Sequence, residues 1–318
     1  MSTAQRETIS EAILERRLAA VRAGAAGETE GVFGPHSLFW RVNREAIVFL
    51  GAGRALLLQL AHPWVAAAIA DHSRAVADPI GRFHRTFGVV YPMVFGSLTR
   101  ALEAARQLHR RHESVAGTMA EDVGPFFRRG SLYRANDVAA LRWVYATLID
   151  TALMAHDMVL PALTASERER YLAESRLFAA LFGLAPTDLP ADWADFAAYN
   201  ESMARSEVLT VGAAAHGIAG ELLFGRVGMV PVPRWYRAVT AAMLPQRLCD
   251  GFALPCDEAE RTRAERALAR LRRIYPLLPA HLHCVAPYHE AMARLAGRPH
   301  ADTLTRLLNR FWIGRPAL

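Results

Sequence analysis

Lysine is absent from this chain, because all 37 basic side chains among its 318 residues are arginines. The absence excludes lysine Schiff-base chemistry, covalent attachment of pyridoxal phosphate and the lysine of a phosphate-binding loop. The net charge of +6 is spread along the chain and balanced locally by Asp and Glu. Solvated helix faces explain these arginines better than a nucleic-acid or membrane partner, so we expect no nucleic acid.

Cysteine is also scarce. Cys249, Cys256 and Cys284 are odd in number and have no C-x-x-C spacing. Neither a disulfide framework nor a cysteine zinc site is therefore expected, and a reducing compartment is indicated. The first residues lack the apolar core of a secretory signal, so the sequence predicts a cytoplasmic protein.

Several catalytic signatures are missing as well. The chain has no Glu-x-x-His pair for a ferritin-like di-iron site and no H-E-x-x-H for a zinc protease. It also has no G-x-S-x-G nucleophile elbow. Gly51-Ala-Gly53 is only a fragment of a dinucleotide-binding loop and follows a helical pattern, so nucleotide binding is not expected.

The longest apolar run, residues 46–70, is broken by Arg54, Gln59 and His62-Pro63. This pattern favours two buried helical pieces, and we expect no transmembrane segment. Strand alternation is scarce, and helical patterns dominate. They cover residues 9–22, 42–60, 63–73, 98–116, 137–160, 166–183, 193–211, 233–244 and 258–275.

The predicted fold is all-α, a single multi-helix globular domain over residues 31–318 preceded by a helical or flexible extension over residues 1–30. Asp137 is a predicted N-cap for the long helix that follows it. Thr164-Ala-Ser-Glu167 has the spacing of a capping box.

Residues 82–115 are the most informative stretch. A compact Arg82-x-x-Arg85-Thr86 cluster is followed by a helix that carries Arg106-x-x-His109. Positions 98, 102, 105, 109, 112 and 116 step by four and three along one face, so His109 and His112 should point inward. His109 then either ligates a metal or haem, or is a core histidine satisfied by a carbonyl. Arg106 lies at the border of this face and could reach an anionic group.

Other histidines suit structural roles. His62 and His72 flank a short helix, and we interpret them as caps at helix ends. His281, His283 and His289 resemble a loose metal cluster, but their spacing does not suit one helical face. We interpret these three as surface histidines.

The order of motifs resembles the MpaB-type oxygenase family, which is related to the latex-clearing rubber oxygenases. The likeness covers roughly residues 35–300. The motifs that carry it are Trp40-Arg41, Arg44-Glu-Ala, Arg54-Ala-Leu-Leu-Leu-Gln-Leu-Ala-His62-Pro63, Asp71-His72-Ser73, Asp78-Pro79, Gly81-Arg82-Phe-His-Arg85-Thr86, Phe95-Gly96, Arg106-Gln-Leu-His109, Tyr133-Arg-Ala-Asn-Asp137 and Leu141-Arg-Trp-Val-Tyr-Ala-Thr147.

This resemblance implies a globin-like helical core that holds haem b, with His109 as the axial iron ligand. Arg82, Arg85 and Thr86 would lie over the distal face, where the arginines would stabilise dioxygen, superoxide or a haem propionate. Arg85 replaces the lysine of the family pattern, and a guanidinium stays protonated. The structural alternative for both arginines is a salt bridge to Asp71 or Asp78.

The resemblance also assigns Arg106 and His112 to the cofactor pocket, where His112 either contacts the porphyrin edge or bonds a carbonyl. Rubber oxygenases use a pocket glutamate as a base, but no glutamate lies between Glu45 and Glu103 here. This departure argues against polyisoprene cleavage. It favours oxidation or oxidative cleavage of a smaller apolar, unsaturated isoprenoid-like or lipid-like substrate by dioxygen.

Two alternatives remain open at this stage. One is a non-catalytic helical protein that binds haem or a lipid for sensing, storage or delivery. The other is a purely structural helical protein without a cofactor. Consumption of dioxygen with an unsaturated lipid separates the oxygenase from both.

Overall fold

The computed structural model describes residues 7–73, 77–227, 230–298 and 300–318. These residues contain sixteen α-helices, numbered in chain order. The first eight are α1 (Glu11–Gly24), α2 (Leu38–Asn43), α3 (Ala52–Leu60), α4 (Pro63–His72), α5 (Pro79–Phe95), α6 (Leu98–Glu113), α7 (Val138–Val159) and α8 (Ala165–Leu181). The other eight are α9 (Trp193–Arg205), α10 (Ala213–Phe224), α11 (Arg234–Ala242), α12 (Gln246–Gly251), α13 (Glu258–Ile274), α14 (Ala280–His283), α15 (Ala286–Leu295) and α16 (Thr303–Ile313).

Extended structure is minor in the described ranges. Apart from isolated bridges, it consists of two antiparallel pairs. These are β1 (Ala116–Thr118) with β2 (Leu132–Arg134), and β3 (Arg226–Val227) with β4 (Val230–Pro231). Short 3-10 helices cover Ala46–Gly51, Pro186–Asp188 and Tyr275–Leu277. The prediction of an all-α single globular domain is confirmed.

Helix α7 runs through the core, and most of its side chains are buried. Trp143 donates from Nε1 to the Leu58 carbonyl of α3 at 2.9 Å, and the hydroxyls of Tyr145 and Ser175 share a hydrogen bond at 2.6 Å across to α8. Within the described residues, α7 is the one helix long and apolar enough to cross a membrane. Because 61% of its apolar window is buried inside the protein, it also has the character of a core helix.

The structure divides the predicted helix over residues 42–60 into three pieces. Helix α2 ends at Asn43, a 3-10 turn covers Ala46–Gly51, and α3 follows. At Gly51 a Cβ atom would lie 2.3 Å from Thr151 Cγ2 of α7, so this turn packs against the central helix only with a glycine there. The break predicted at His62-Pro63 is confirmed, since the two helical pieces meet at 101°.

Both predicted helix starts are confirmed. Asp137 accepts from Ala140 N at 3.0 Å at the start of α7. Thr164 and Glu167 form the reciprocal capping box of α8. Helix α9 ends at Arg205 rather than near residue 211, because the guanidinium of Arg247 binds the carbonyls of Ala204, Ser206 and Leu209 in the following turn.

Some helices were not predicted from the sequence. Helix α5 contains Gly88 and Pro92, which weaken a helical pattern. It is nevertheless formed, since Asp78 caps it and its last two turns are buried. The short helices α10 and α14 to α16 were also missed.

Helix α1 packs against α8 and α6 through Leu14, Leu18 and Val21, all of them buried. These side chains belong to the same hydrophobic cluster as the core of the domain. The described part of the predicted N-terminal extension therefore contributes to the main core.

Arg54 is a buried cation that joins three helices. Its Nη2 lies 2.6 Å from Asp150 Oδ2 and a second nitrogen bonds the Thr151 hydroxyl, both on α7. Its Nε donates to the Met243 carbonyl after α11 at 2.9 Å. A buried ion pair is costly to break because the remaining partner stays desolvated.

We expect Arg54→Ala to lower the free energy of unfolding by about 3 kcal/mol, since Asp150 would lose its partner in a largely buried position. Chemical denaturation followed by circular dichroism measures this change. The matched control is Arg205→Ala, whose ion pair with Glu201 is exposed, and it should stay within about 0.5 kcal/mol of wild type. If both substitutions lowered the free energy of unfolding equally, the structural role assigned to the buried Arg54 ion pair would be contradicted.

Candidate functional site

Helices α5 and α6 form an antiparallel hairpin, because only Gly96 and Ser97 connect them. Ser97 caps α6 through Arg100 N at 3.3 Å. With 1.5 Å of rise per residue, the last turns of α6 lie beside the first turns of α5. The fold therefore brings the predicted arginine cluster and the predicted histidines to the same end of one hairpin.

Arg82 is half-buried on the first turns of α5. Its Nη1 donates to Ser73 Oγ at 2.7 Å, and among the described residues it has no carboxylate partner. Desolvation lowers the pKa of Arg82, and the positive charges of Arg85 and Arg111 lower it further. A desolvated cation among cations is suited to receive an anionic group from outside the chain.

Arg85 and Thr86 lie on the same exposed side of α5. Arg85 pairs with Asp78 at 3.0 Å, and about half of each side chain is exposed. The alternative of a structural salt bridge is therefore observed for Arg85 but not for Arg82. An exposed pair of this kind is weak, so the guanidinium of Arg85 can turn toward a ligand at little cost.

Arg106 lies one turn before His109 on α6, at the border of the same face. It forms a bidentate ion pair with Glu15 of α1, with nitrogen to oxygen distances of 2.6 and 2.8 Å. The hydrogen bond from Arg106 lowers the pKa of Glu15. Arg106 thus fastens α1 to the hairpin, and any contact with a cofactor would compete with this pair.

His109 is buried, as its inward position on α6 predicts. Its Nε2 lies 3.2 Å from Glu113 Oε1 one turn later, but no atom meets hydrogen-bond geometry with this nitrogen. The predicted alternative of a carbonyl partner is not seen for Nε2. Nε2 therefore has a carboxylate beside it but no hydrogen bond, so a ligand could replace this contact.

His112 is half-buried one turn after His109. Desolvation, followed by the charges of His109 and Arg111, lowers the pKa of His112 to about 4. The imidazole is therefore neutral at physiological pH, which is the form that ligates a metal.

Residues 40–277 match the catalytic-domain family described as ER-bound oxygenase mpaB/B'/rubber oxygenase. The match covers more than half of the chain and includes the whole α5–α6 hairpin. The chain belongs to this oxygenase family. No match was found among the curated proteins or the solved structures that were compared.

In this oxygenase domain, the other face of α5 is aromatic. Phe83 and Phe87 are half-buried, with ring centroids 4.6 Å apart, and both contact Phe49. Tyr91 closes this wall, and its buried hydroxyl has no hydrogen-bond partner. Trp312 of α16 packs on the same cluster, with its ring centroid 4.6 Å from that of Phe49. Helix α5 therefore carries cations on one side and a packed aromatic cluster on the other.

The histidines that flank α4 also contact other elements. His62 is buried between α3 and α4, 5.3 Å from the ring of Phe127 and 5.8 Å from that of Trp64. His72 ends α4, but its Nε2 lies 3.2 Å from the Ala116 carbonyl of β1. Its side chain therefore links α4 to β1.

Two surface cavities lie elsewhere in the oxygenase domain. One, of about 940 Å³, is lined by Trp235 of α11 and by α13, and another, of about 320 Å³, contains Asp150 and Arg272. None of the six predicted site residues lines either cavity.

Three neighbours of the site were missed from the sequence. For Glu113, the i+4 spacing from His109 could have indicated the contact. Ser73 follows the end of α4 and Glu15 lies on α1, so no periodic pattern within one helix pairs them with Arg82 and Arg106.

If Arg82 has a structural role, its replacement should destabilise the protein. If it binds a ligand, the ligand-free protein should keep its stability when Arg82 is replaced. We expect Arg82→Met to leave the ligand-free unfolding free energy within about 1 kcal/mol of wild type, because the lost Ser73 bond is offset by relief of desolvation and repulsion. Thermal unfolding checks this. A loss of several kcal/mol would assign Arg82 a structural role instead.

Proposed function

We propose that this protein is a haem b-dependent oxygenase that uses dioxygen to oxidise or cleave an apolar, unsaturated isoprenoid-like or lipid-like substrate. Membership of the oxygenase family supports the reaction class. The observation that carries the cofactor proposal is the buried His109, which has a ring nitrogen without a hydrogen-bond partner.

The donor set of the hairpin fits haem. His109 and His112 offer imidazoles one turn apart on α6, and burial keeps His112 neutral. We assign iron binding to His109, whose Nε2 would bind the metal in place of its present contact with Glu113. His112 would then contact the porphyrin edge.

Arg82 fits the acidic periphery of the same cofactor. A haem carries propionate groups, and Arg82 is a half-buried cation whose charged neighbours are also cations. A propionate beside Arg82 would form a charge-assisted hydrogen bond with its guanidinium. This bond would neutralise a charge that the described residues leave unbalanced.

When bound, haem would supply the activation of dioxygen. The chain would hold the reacting groups in place. Arg85 would keep positive charge at the open side of α5, and the Thr86 hydroxyl would donate a hydrogen bond there. The half-buried rings of Phe83 and Phe87 would offer the apolar substrate aromatic contacts at the edge of the cluster that they form with Phe49 and Trp312.

The charge pattern also limits the substrate. The chain has no glutamate between Glu45 and Glu103, and Asp78 on this part of the hairpin is paired with Arg85. The base expected of a rubber oxygenase therefore has no counterpart in this stretch. A small unsaturated lipid-like molecule is the better candidate.

The first test is haem binding. We expect the purified protein to show a Soret band with about one haem per chain by the pyridine haemochrome assay. His109→Ala should lower haem affinity by at least about tenfold. The control is His216→Ala, which removes an exposed histidine of α10 and should leave the spectrum unchanged.

The two histidines are separable in this experiment. If His112→Ala loses haem and His109→Ala keeps it, the axial assignment moves to His112 while the haem proposal stands. A colourless wild-type protein, still colourless after haem supplementation, would contradict the proposal.

The second test is turnover. With haem content matched, we expect Arg85→Ala to slow dioxygen consumption with an unsaturated isoprenoid by about 100-fold, because it removes a fixed charge from the reacting site. An oxygen electrode with product analysis measures the rate. Haem binding without dioxygen consumption in wild type would favour a sensing, storage or delivery protein.

A further inference from the structure

The sequence interpretation placed His283 on the surface, but the structure places it in a partly buried cluster far along the chain from the α5–α6 hairpin. His283 ends α14, and Cys284 follows in extended conformation. Cys284 pairs with Glu45 in an isolated antiparallel bridge, and Val285 N donates to the Arg44 carbonyl at 2.8 Å. The backbone thereby fixes residues 283–284 against the turn after α2.

Three different ligand types meet at this bridge. Glu45 Oε2, His283 Nδ1 and Cys284 Sγ all lie within 4.8 Å of one another. The nitrogen is 2.9 Å from the carboxylate oxygen and 3.9 Å from the sulfur. Glu45 and Cys284 are buried, whereas His283 is half-buried.

We infer that Glu45, His283 and Cys284 form a binding site for a divalent transition-metal ion, with zinc as the best match. Two of the three residues, His283 and Cys284, lie beyond the segment that matches the oxygenase family. None of the three residues belongs to the set assigned to the haem site.

The ligand spacing suits zinc. Tetrahedral zinc with bonds of about 2.0 to 2.3 Å separates its ligand atoms by roughly 3.3 to 3.8 Å. Shifts of these flexible side chains by about an ångström would bring the three atoms to that spacing. A carboxylate oxygen, an imidazole nitrogen and a thiolate sulfur are all common zinc ligands, and a water would complete the four.

The neighbours of Glu45 leave its second oxygen available. Arg44 Nε donates to Oε1 at 3.1 Å, which fixes the carboxylate. The Tyr275 hydroxyl lies 3.1 Å from Oε2 and 2.7 Å from the His283 carbonyl, and it accepts from Ile47 N. One hydroxyl proton can serve only one acceptor, and the carbonyl is the closer of the two.

The charges balance when zinc binds. The Cys284 thiol loses its proton to solvent, and His283 ligates as a neutral imidazole through Nδ1. Zinc is then bound by two anionic ligands, Glu45 and Cys284. Arg44 stays hydrogen-bonded to the other carboxylate oxygen of Glu45. The exposed part of His283, about 23% of its side chain, provides a path for the ion.

Cobalt titration of the full-length protein tests the site. We strip the protein with a chelator, add Co²⁺ and record the sulfur-to-cobalt charge-transfer absorption, then displace cobalt with Zn²⁺. We expect one ion per chain and a charge-transfer band in wild type. Zinc should also raise the melting temperature of wild type by mass action.

Matched variants assign the ligands. Cys284→Ser should abolish the charge-transfer band and weaken zinc binding by more than about tenfold, and His283→Gln should weaken it similarly. The controls are Cys256→Ser, a half-buried thiol elsewhere, and His289→Gln, whose Nε2 bonds the Ala280 carbonyl. Both controls should bind like wild type.

Two results would overturn the inference. One is a wild-type protein that binds neither Co²⁺ nor Zn²⁺ at one ion per chain, a result that does not depend on whether any variant folds. The other is a charge-transfer band that persists in Cys284→Ser. Because the band reports a thiolate ligand, binding by His109 or His112 cannot produce it.

Discussion

Burial of the Arg54 charge constrains the rest of this structure. A guanidinium inside the core requires a carboxylate and further acceptors, and only the packing of α3 on α7 and the end of α11 supplies them. Helix α3 leads through the His62-Pro63 bend into α4, and the residue after α4 is Ser73, the partner of Arg82. The packing that neutralises Arg54 therefore also sets the path of the chain to Ser73, and with it the position of the candidate site.

Arg54 and Arg82 carry positive charge in two different settings. Arg54 is satisfied on all sides by groups of the chain, as a buried charge in a stable core must be. Arg82 loses water without gaining a carboxylate, and its charged neighbours are Arg85 and Arg111. Such an imbalance costs stability, and we propose that a ligand offsets it.

Local patterns predicted the parts of the fold that depend on local physics. The caps at Asp137 and Thr164 and the inward position of His109 follow from backbone geometry within a few residues. The pairing of Arg106 with Glu15 and of Glu45 with His283 joins distant segments, so it depends on tertiary packing. Helix α5 was missed for another reason, because Asp78 and tertiary burial stabilise a segment that contains glycine and proline.

The two candidate sites differ in the charge that the protein supplies, and this difference separates their ligands. His112 on α6 is a neutral donor next to arginines, which suits a cofactor whose iron already sits in an anionic ring with carboxylates at its edge. A bare divalent ion brings no such compensation and needs anionic protein ligands. Glu45 and Cys284 can provide two of them, whereas the described ends of α5 and α6 carry mainly positive charge. Zinc at the bridge and haem at the hairpin are therefore separate proposals that rest on different sets of side chains.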